Sequence, residues 1–168
     1  MRLVHYTDRV KSQFIKREGL TYSKKSYGYK YDTGAINRIL NKYKPEDLPN
    51  FIDRDKCIFF YPETCDRLFS KFSEVKIIVD TRYLDHSRLF VASFQIAQRI
   101  WVDVVEAPYT GEHSGIPIEI SAKEYWDSLT QFNIFEEQLN YMDKAVEILY
   151  FNEIPSKYID IEDEAVNN

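Results

Sequence analysis

Apolar positions along the chain change period several times, and each change marks a boundary between a strand and a helix. Arg2-Leu3-Val4-His5-Tyr6 reads as a short strand that runs directly into Thr7-Asp8, either of which can cap a helix. That helix is expected to turn Val10, Phe14 and Ile15 inward and to stop at Gly19. Ala35, Ile36, Ile39, Leu40 and Tyr43 recur at helical spacing and predict a helix over 33–43. Cys57-Ile58-Phe59-Phe60-Tyr61 is continuously apolar or aromatic, the pattern of a buried strand, and Pro62 cuts it off. Pro62 can also open a helix whose apolar set is Cys65, Leu68, Phe69 and Phe72.

Val75 to Val79 and Leu89 to Ala92 are two further apolar strands, the second followed by Ser93 as the cap of a helix carrying Phe94, Ile96, Ala97, Ile100 and Trp101. The stretch 107–115 reads as a loop on its Pro and Gly content. Ser121 with Glu124 matches a capping box, and Asn133 with Glu136 has the related spacing ahead of Leu139 and Met142. Ala145 to Phe151 is the last strong strand, and Pro155 begins a short turn through Ile159. No repeat or linker divides the pattern, so the expectation is one α+β domain over 1–160, followed by an acidic tail at 161–168.

Composition narrows the class. At 168 residues with 44 % hydrophobic and 29 % charged positions, the chain can bury one substantial core, which excludes a disordered tail or a fibrous repeat. No apolar run approaches the roughly 20 residues that cross a bilayer, and the first residues lack the apolar core of a secretion signal, so a soluble, cytoplasmic protein without a membrane partner is expected. Cys57 and Cys65 are too few for a disulfide framework or a structural zinc site and read as reduced, packed residues. The net charge of −5 is uneven: residues 1–60 hold 13 Lys and Arg against 7 Asp and Glu, and the rest hold 9 against 20. A basic first third can steer a phosphate-bearing ligand to one wall.

Thirteen tyrosines and eleven phenylalanines suit either a lined cleft or a plain aromatic core. Tyr22, Tyr27, Gly28, Tyr29 and Tyr31 lie among Lys24, Lys25 and Lys30, a stretch that reads as a ligand wall or as a surface loop held down by its rings. Glu147 stands out inside Ala145-Val146-Glu147-Ile148-Leu149-Tyr150, because a carboxylate in an apolar strand must be paired or lie at an opening. Three placements fit: an edge facing water, a salt bridge to an arginine at the rim of the core, or a ligand-facing acid. His5, between Val4 and Tyr6, is either a satisfied structural histidine or one that positions a sugar hydroxyl. Asp53, Arg54 and Asp55 form a local charge network or set Arg54 at a pocket entrance. No metal-ligand spacing, phosphate loop, dinucleotide fingerprint or nucleophile elbow is present.

Leu3-Val4-His5-Tyr6-Thr7, the helix ending in Gly19-Leu20, the Ile58-Phe59-Phe60-Tyr61 strand and the late Val146-Glu147-Ile148-Leu149-Tyr150 followed by Ile154-Pro155-Ser156-Lys157-Tyr158-Ile159 together resemble the ADP-ribosyltransferase-like superfamily. The nearest shapes are the DNA-targeting ADP-ribosyltransferase toxins and several uncharacterised bacterial relatives. This resemblance implies two small bent sheets around a cleft that binds NAD, with transfer of ADP-ribose to an acceptor. It implies that His5 holds the nicotinamide ribose, that the Tyr6-Thr7 backbone meets the nicotinamide amide, and that Glu147 is the catalytic acid. Tyr61, or an aromatic of the 27–31 loop such as Tyr29, would stack on nicotinamide, and Arg9, Lys24, Lys25 or Arg54 would meet the pyrophosphate.

Two positions depart from the pattern. Pro62-Glu63 follows the Phe59-Phe60-Tyr61 strand where the toxin type has an arginine and a serine, and Ala145 stands two positions before Glu147 where protein-modifying relatives carry an acid or amide. The acceptor that these departures leave open is a nucleic acid (DNA or RNA), a phosphate or a small molecule. Alternative readings are a binding protein with the same fold and no catalysis, and an RNA 2′-phosphotransferase.

Overall fold

The computed structural model describes residues 1–22, 33–63, 75–133 and 146–163. Among them, strands β1 (Arg2–Thr7), β2 (Ile58–Pro62), β3 (Val75–Asp80), β4 (Leu89–Ser93), β5 (Thr130–Gln131), β6 (Val146–Tyr150) and β7 (Ile159–Asp163) form one antiparallel sheet in the order β5-β4-β6-β2-β1-β3-β7. Helices α1 (Arg9–Glu18), α2 (Thr33–Lys42), α3 (Phe94–Trp101), α4 (Ala107–Thr110) and α5 (Ile118–Asp127) complete the described α+β architecture. The resemblance implies two small bent sheets around a cleft; the described strands instead form a single sheet that changes partner in its middle.

That change happens on β2. Ile58, Phe59 and Phe60 pair with Tyr150, Leu149 and Ile148 of β6, whereas Tyr61 and Pro62 pair with Val4 and Leu3 of β1. Beyond Val4 the first strand stays with β3 as far as Thr7↔Val75, so β1 and β2 part at His5. On its other side, β6 leaves β2 just beyond Ile148, at Glu147, which keeps its pairing with Ala92 of β4. The sheet is therefore split at Phe60-Tyr61, with His5 beside one opening and Glu147 beside the other.

Antiparallel partners point to the same face and neighbours along a strand alternate. One face gathers Leu3, Ile58, Phe60, Val75, Ile77, Val79, Leu89, Val91, Ile148 and Tyr150 into a core cluster against which Ile15 of α1 packs. The other face carries Phe59, Leu149 and Ala92 under Ile36 and Leu40 of α2, Ala97 and Ile100 of α3, and Ala122, Tyr125 and Trp126 of α5.

Local chemistry sets the helix ends. Asp8 caps α1 by accepting from Lys11 N at 2.7 Å. Gly19 closes the helix at φ 89°, and a Cβ there would sit 2.1 Å from the Ile154 carbonyl oxygen, so no larger residue fits this close approach. Inside α1 the buried line runs through Ser12 and Ile15, while Val10 and Phe14 are 68 % and 45 % exposed, which corrects the expected inner face. The Val10/Phe14 stripe is real, but α1 docks through the neighbouring one.

Ser93 Oγ accepts from Ile96 N and starts α3 as expected. That helix runs on through a π-helical turn at Val102–Glu106 into α4, so residues 107–110 are helical rather than a loop, with Pro108 just past the π-helical turn. Gly111 ends the run in the left-handed region at φ 74°. α5 starts at Ile118, after Pro117, which puts Ser121 inside the helix instead of at its cap. At the C-terminal end β7 pairs with β3 out to Asp163, three residues into the expected tail. Ile159 and Ile161 pack against the core there while Asp160 and Glu162 alternate outward, a half-buried edge strand.

Candidate functional site

Arg54 lies in a 3-10 turn (Arg54–Lys56) that Asp53 caps by accepting from Asp55 N at 2.9 Å. Two asparagines one turn apart on α2 take hold of it. Asn41 Oδ1 accepts from Arg54 N at 3.0 Å, and its Nδ2 donates to Asp53 Oδ1 at 2.8 Å and Asp55 Oδ2 at 3.2 Å. Asn37 Oδ1 accepts from Arg54 Nε at 3.1 Å, and its Nδ2 donates to the Arg54 carbonyl at 3.1 Å.

The guanidinium then passes into the helix-covered face of the sheet. The Phe59 and Tyr125 rings pack against it, with centroids 4.9 and 4.7 Å from Cζ. Its Nη1 donates to the Tyr125 hydroxyl and to Glu147 Oε1, Tyr125 donates to the same Oε1, and Nη2 reaches Oε2 at 3.5 Å. Arg54 is 3 % exposed and Glu147 4 %. Of the three placements open to Glu147 from its sequence, the geometry is that of a buried salt bridge to an arginine.

Burying two charges is costly, and a close pairing with further hydrogen bonds offsets that cost. Burial opposes the Arg54 charge, but the Glu147 carboxylate and Tyr125 beside it together push its pKa above the ordinary arginine value. Burial pushes the Tyr125 phenol up, Arg54 pulls it down, and Glu147 adds to the rise. Tyr61 is likewise raised, by burial first and by the Glu147 carboxylate second, against the opposing pull of Arg54. Both phenols are thus neutral hydroxyls beside a charged pair.

Tyr61 extends this site across the split. Its ring lies 6.0 Å from Phe94, edge to face, and 6.5 Å from Tyr6. Register puts Tyr6, Val4, Tyr61 and Phe59 on the face of Glu147. His5 falls on the opposite face, with Leu3, its ring 6.1 Å from Phe60, and its Nδ1 donates to the Phe59 carbonyl at 2.9 Å across the gap where β1 leaves β2. Thr7 is buried at the end of β1 opposite Val75. The structure thus brings Arg54, Tyr61 and Glu147 together with Tyr6 nearby, and sets His5 on the other side of the strand.

Tyr29, the rest of the 27–31 loop, Lys24, Lys25 and Cys65 lie outside the described residues, and Arg9 is exposed. Cys57 is a buried thiol whose Sγ donates to the Arg54 carbonyl at 3.3 Å, a packing role. Among the described residues no three His, Cys, Asp or Glu side chains gather as a metal site, and no helix is long and apolar enough to cross a membrane. Asn37, Asn41 and Tyr125 were not singled out as site residues from sequence. Two asparagines four apart beside an apolar helix stripe are a signal that a polar group is held on that side.

Comparison of the chain with protein-family models, with curated proteins and with solved structures returned no match.

Proposed function

We propose that the chain is an NAD-dependent ADP-ribosyltransferase-like enzyme in which Glu147 acts on the nicotinamide ribose. The observation that carries this reading is the buried carboxylate at the split in the sheet, ion-paired with Arg54 and on the same sheet face as Tyr61. Breaking a glycosidic bond to a cationic leaving group builds positive charge on the sugar, and a fixed carboxylate beside it stabilises the transition state more than the ground state. Arg54 and Tyr125 both donate to Oε1, while Nη2 meets Oε2 at the longer distance of 3.5 Å. Oε2 thus keeps acceptor capacity for a ribose hydroxyl. Tyr61, with Tyr6 and Phe94 around it, offers an aromatic wall for nicotinamide. In this reading His5 braces the opening through the Phe59 carbonyl rather than gripping the ribose beside Glu147.

Incubating the protein with NAD and a mixture of DNA, RNA and proteins, then weighing the products, tests the proposal. A molecule that gains ADP-ribose is the expected result, and Glu147→Gln is expected to lower turnover by about 100-fold or more, the scale of losing one preorganised electrostatic group. Unchanged turnover in that variant removes Glu147 from the mechanism. A second reading, a nucleotide-binding protein without catalysis, is favoured by one observation: the carboxylate already has protein donors at both oxygens. Calorimetric NAD binding with no product of altered mass distinguishes it.

A further inference from the structure

We propose that Asn37 is the positioning residue of this site, acting on Glu147 through Arg54; its catalytic consequence rests on the function proposed above, while its effect on Arg54 does not. Nε is the guanidinium donor nearest the main chain, and an acceptor fixed there sets the rotation of the whole plane. Asn37 supplies that acceptor and, with the other end of the same amide, holds the carbonyl of the same arginine, both at 3.1 Å. Side chain and backbone of Arg54 are thereby referred to one point on α2. Asn37 is 1 % exposed, so bulk water has little access to replace it.

With Nε held, and with the Phe59 and Tyr125 rings packed against the guanidinium, Nη1 is aimed at Oε1 while Nη2 meets Oε2 at 3.5 Å. The asymmetry that leaves Oε2 for a ligand is therefore set at Asn37, whose amide hydrogen-bonds Arg54 at both of its ends. An amide also suits the position because it is neutral: an aspartate there would compete with Glu147 for the guanidinium charge.

Asn37→Ala and the near-isosteric Asn37→Asp test this in the full chain, the second covering the case in which the first does not fold. Turnover of NAD per folded molecule is expected to fall by about tenfold to a hundredfold in both, with KM for NAD within about threefold of wild type, because a misplaced group slows the reaction without removing ligand contacts. A loss no greater than the loss of folded protein, or a raised KM at unchanged kcat, overturns the proposal. The second readout is the Arg54 Nε–H resonance in ¹H–¹⁵N NMR spectra, assigned by its absence in Arg54→Lys. It is expected to shift in both Asn37 variants, and an unchanged resonance overturns the clamp. A wild-type protein that turns over no NAD refutes the catalytic reading alone, and the resonance then decides the role of Asn37.

Discussion

The same sheet face carries two groups of opposite charges, and their surroundings could hardly differ more. Under α2, α3 and α5 lies Arg54 with Glu147, both almost fully buried and tied to Tyr125 and Asn37. On the other side of the split, register places Arg2 and Glu162 on the continuation of that face, where Arg2 reaches Glu63 and Glu162 at 3.1 Å each. Arg2 is 46 % exposed in its side chain. The residue types match; what differs is how much water has been removed around them. Desolvation makes the first group expensive to break, whereas Arg2 and its partners remain surface pairs that water already stabilises.

The sharpest way to break this comparison is to take one partner from each group. Glu147→Ala is expected to cost about 3–5 kcal/mol in urea denaturation, since it leaves a buried guanidinium without its counter-charge. The paired replacement Arg54→Met with Glu147→Leu is expected to restore most of that stability while leaving no NAD turnover. A double variant as unstable as the single one would mean that the network, rather than the uncompensated charge, holds the helices on the sheet.

How much of this contrast a reader of the sequence could see depends on how far each feature reaches along the chain. β1, β2, β3, β4 and β6 announce themselves as short apolar runs, and Ser93 marks the start of α3, because those signals are local. Glu147 was conspicuous for the same reason, as a charge inside an apolar run. Its partner was not, since Arg54 lies 93 positions earlier between two aspartates that suggest a local network. That network exists too, through Asn41 and the caps, and it masks the longer contact. Residues 161–163 of β7 read as part of an acidic tail, and only pairing with β3 shows Ile159 and Ile161 alternating inward. The stripe of α1 that faces the core is likewise settled by docking and not by spacing.

A smaller effect sharpens the buried side of the comparison. Asn37→Ala leaves Arg54 Nε without its acceptor, and the expected cost is about 1–3 kcal/mol in the same denaturation experiment. A change below that range would mean the guanidinium had found another acceptor in the folded protein.

Alkaline pH reads the phenols around the pair. Tyr61 and Tyr125 titrate above the ordinary value of 10.0 in the folded state. The stability they contribute is therefore complete below about pH 10 and is lost as pH rises from there toward their folded values, because the unfolded chain gives up those protons first. Tyr61→Phe is expected to flatten the fall in stability above pH 10 by about 1.4 kcal/mol per pH unit. An unchanged slope would mean that the hydroxyl of Tyr61 is as well solvated folded as unfolded.

The exposed group should respond least, and to a different variable. Arg2→Ala removes two ion pairs at once, yet pairs of this exposure contribute about 0.2–1 kcal/mol each at best, because water already stabilises the separated charges and two long side chains must be ordered to meet. Screening supplies the control: between 0.1 and 1 M salt the Debye length drops from about 10 Å to about 3 Å. The stability difference between wild type and Arg2→Ala is expected to shrink toward zero over that range, while the difference between wild type and Glu147→Ala persists, since ions do not enter the space between Arg54 and Glu147. If both differences faded together, the buried pair would have to be open to solvent, and the distinction between the two regions of the sheet would fall with it.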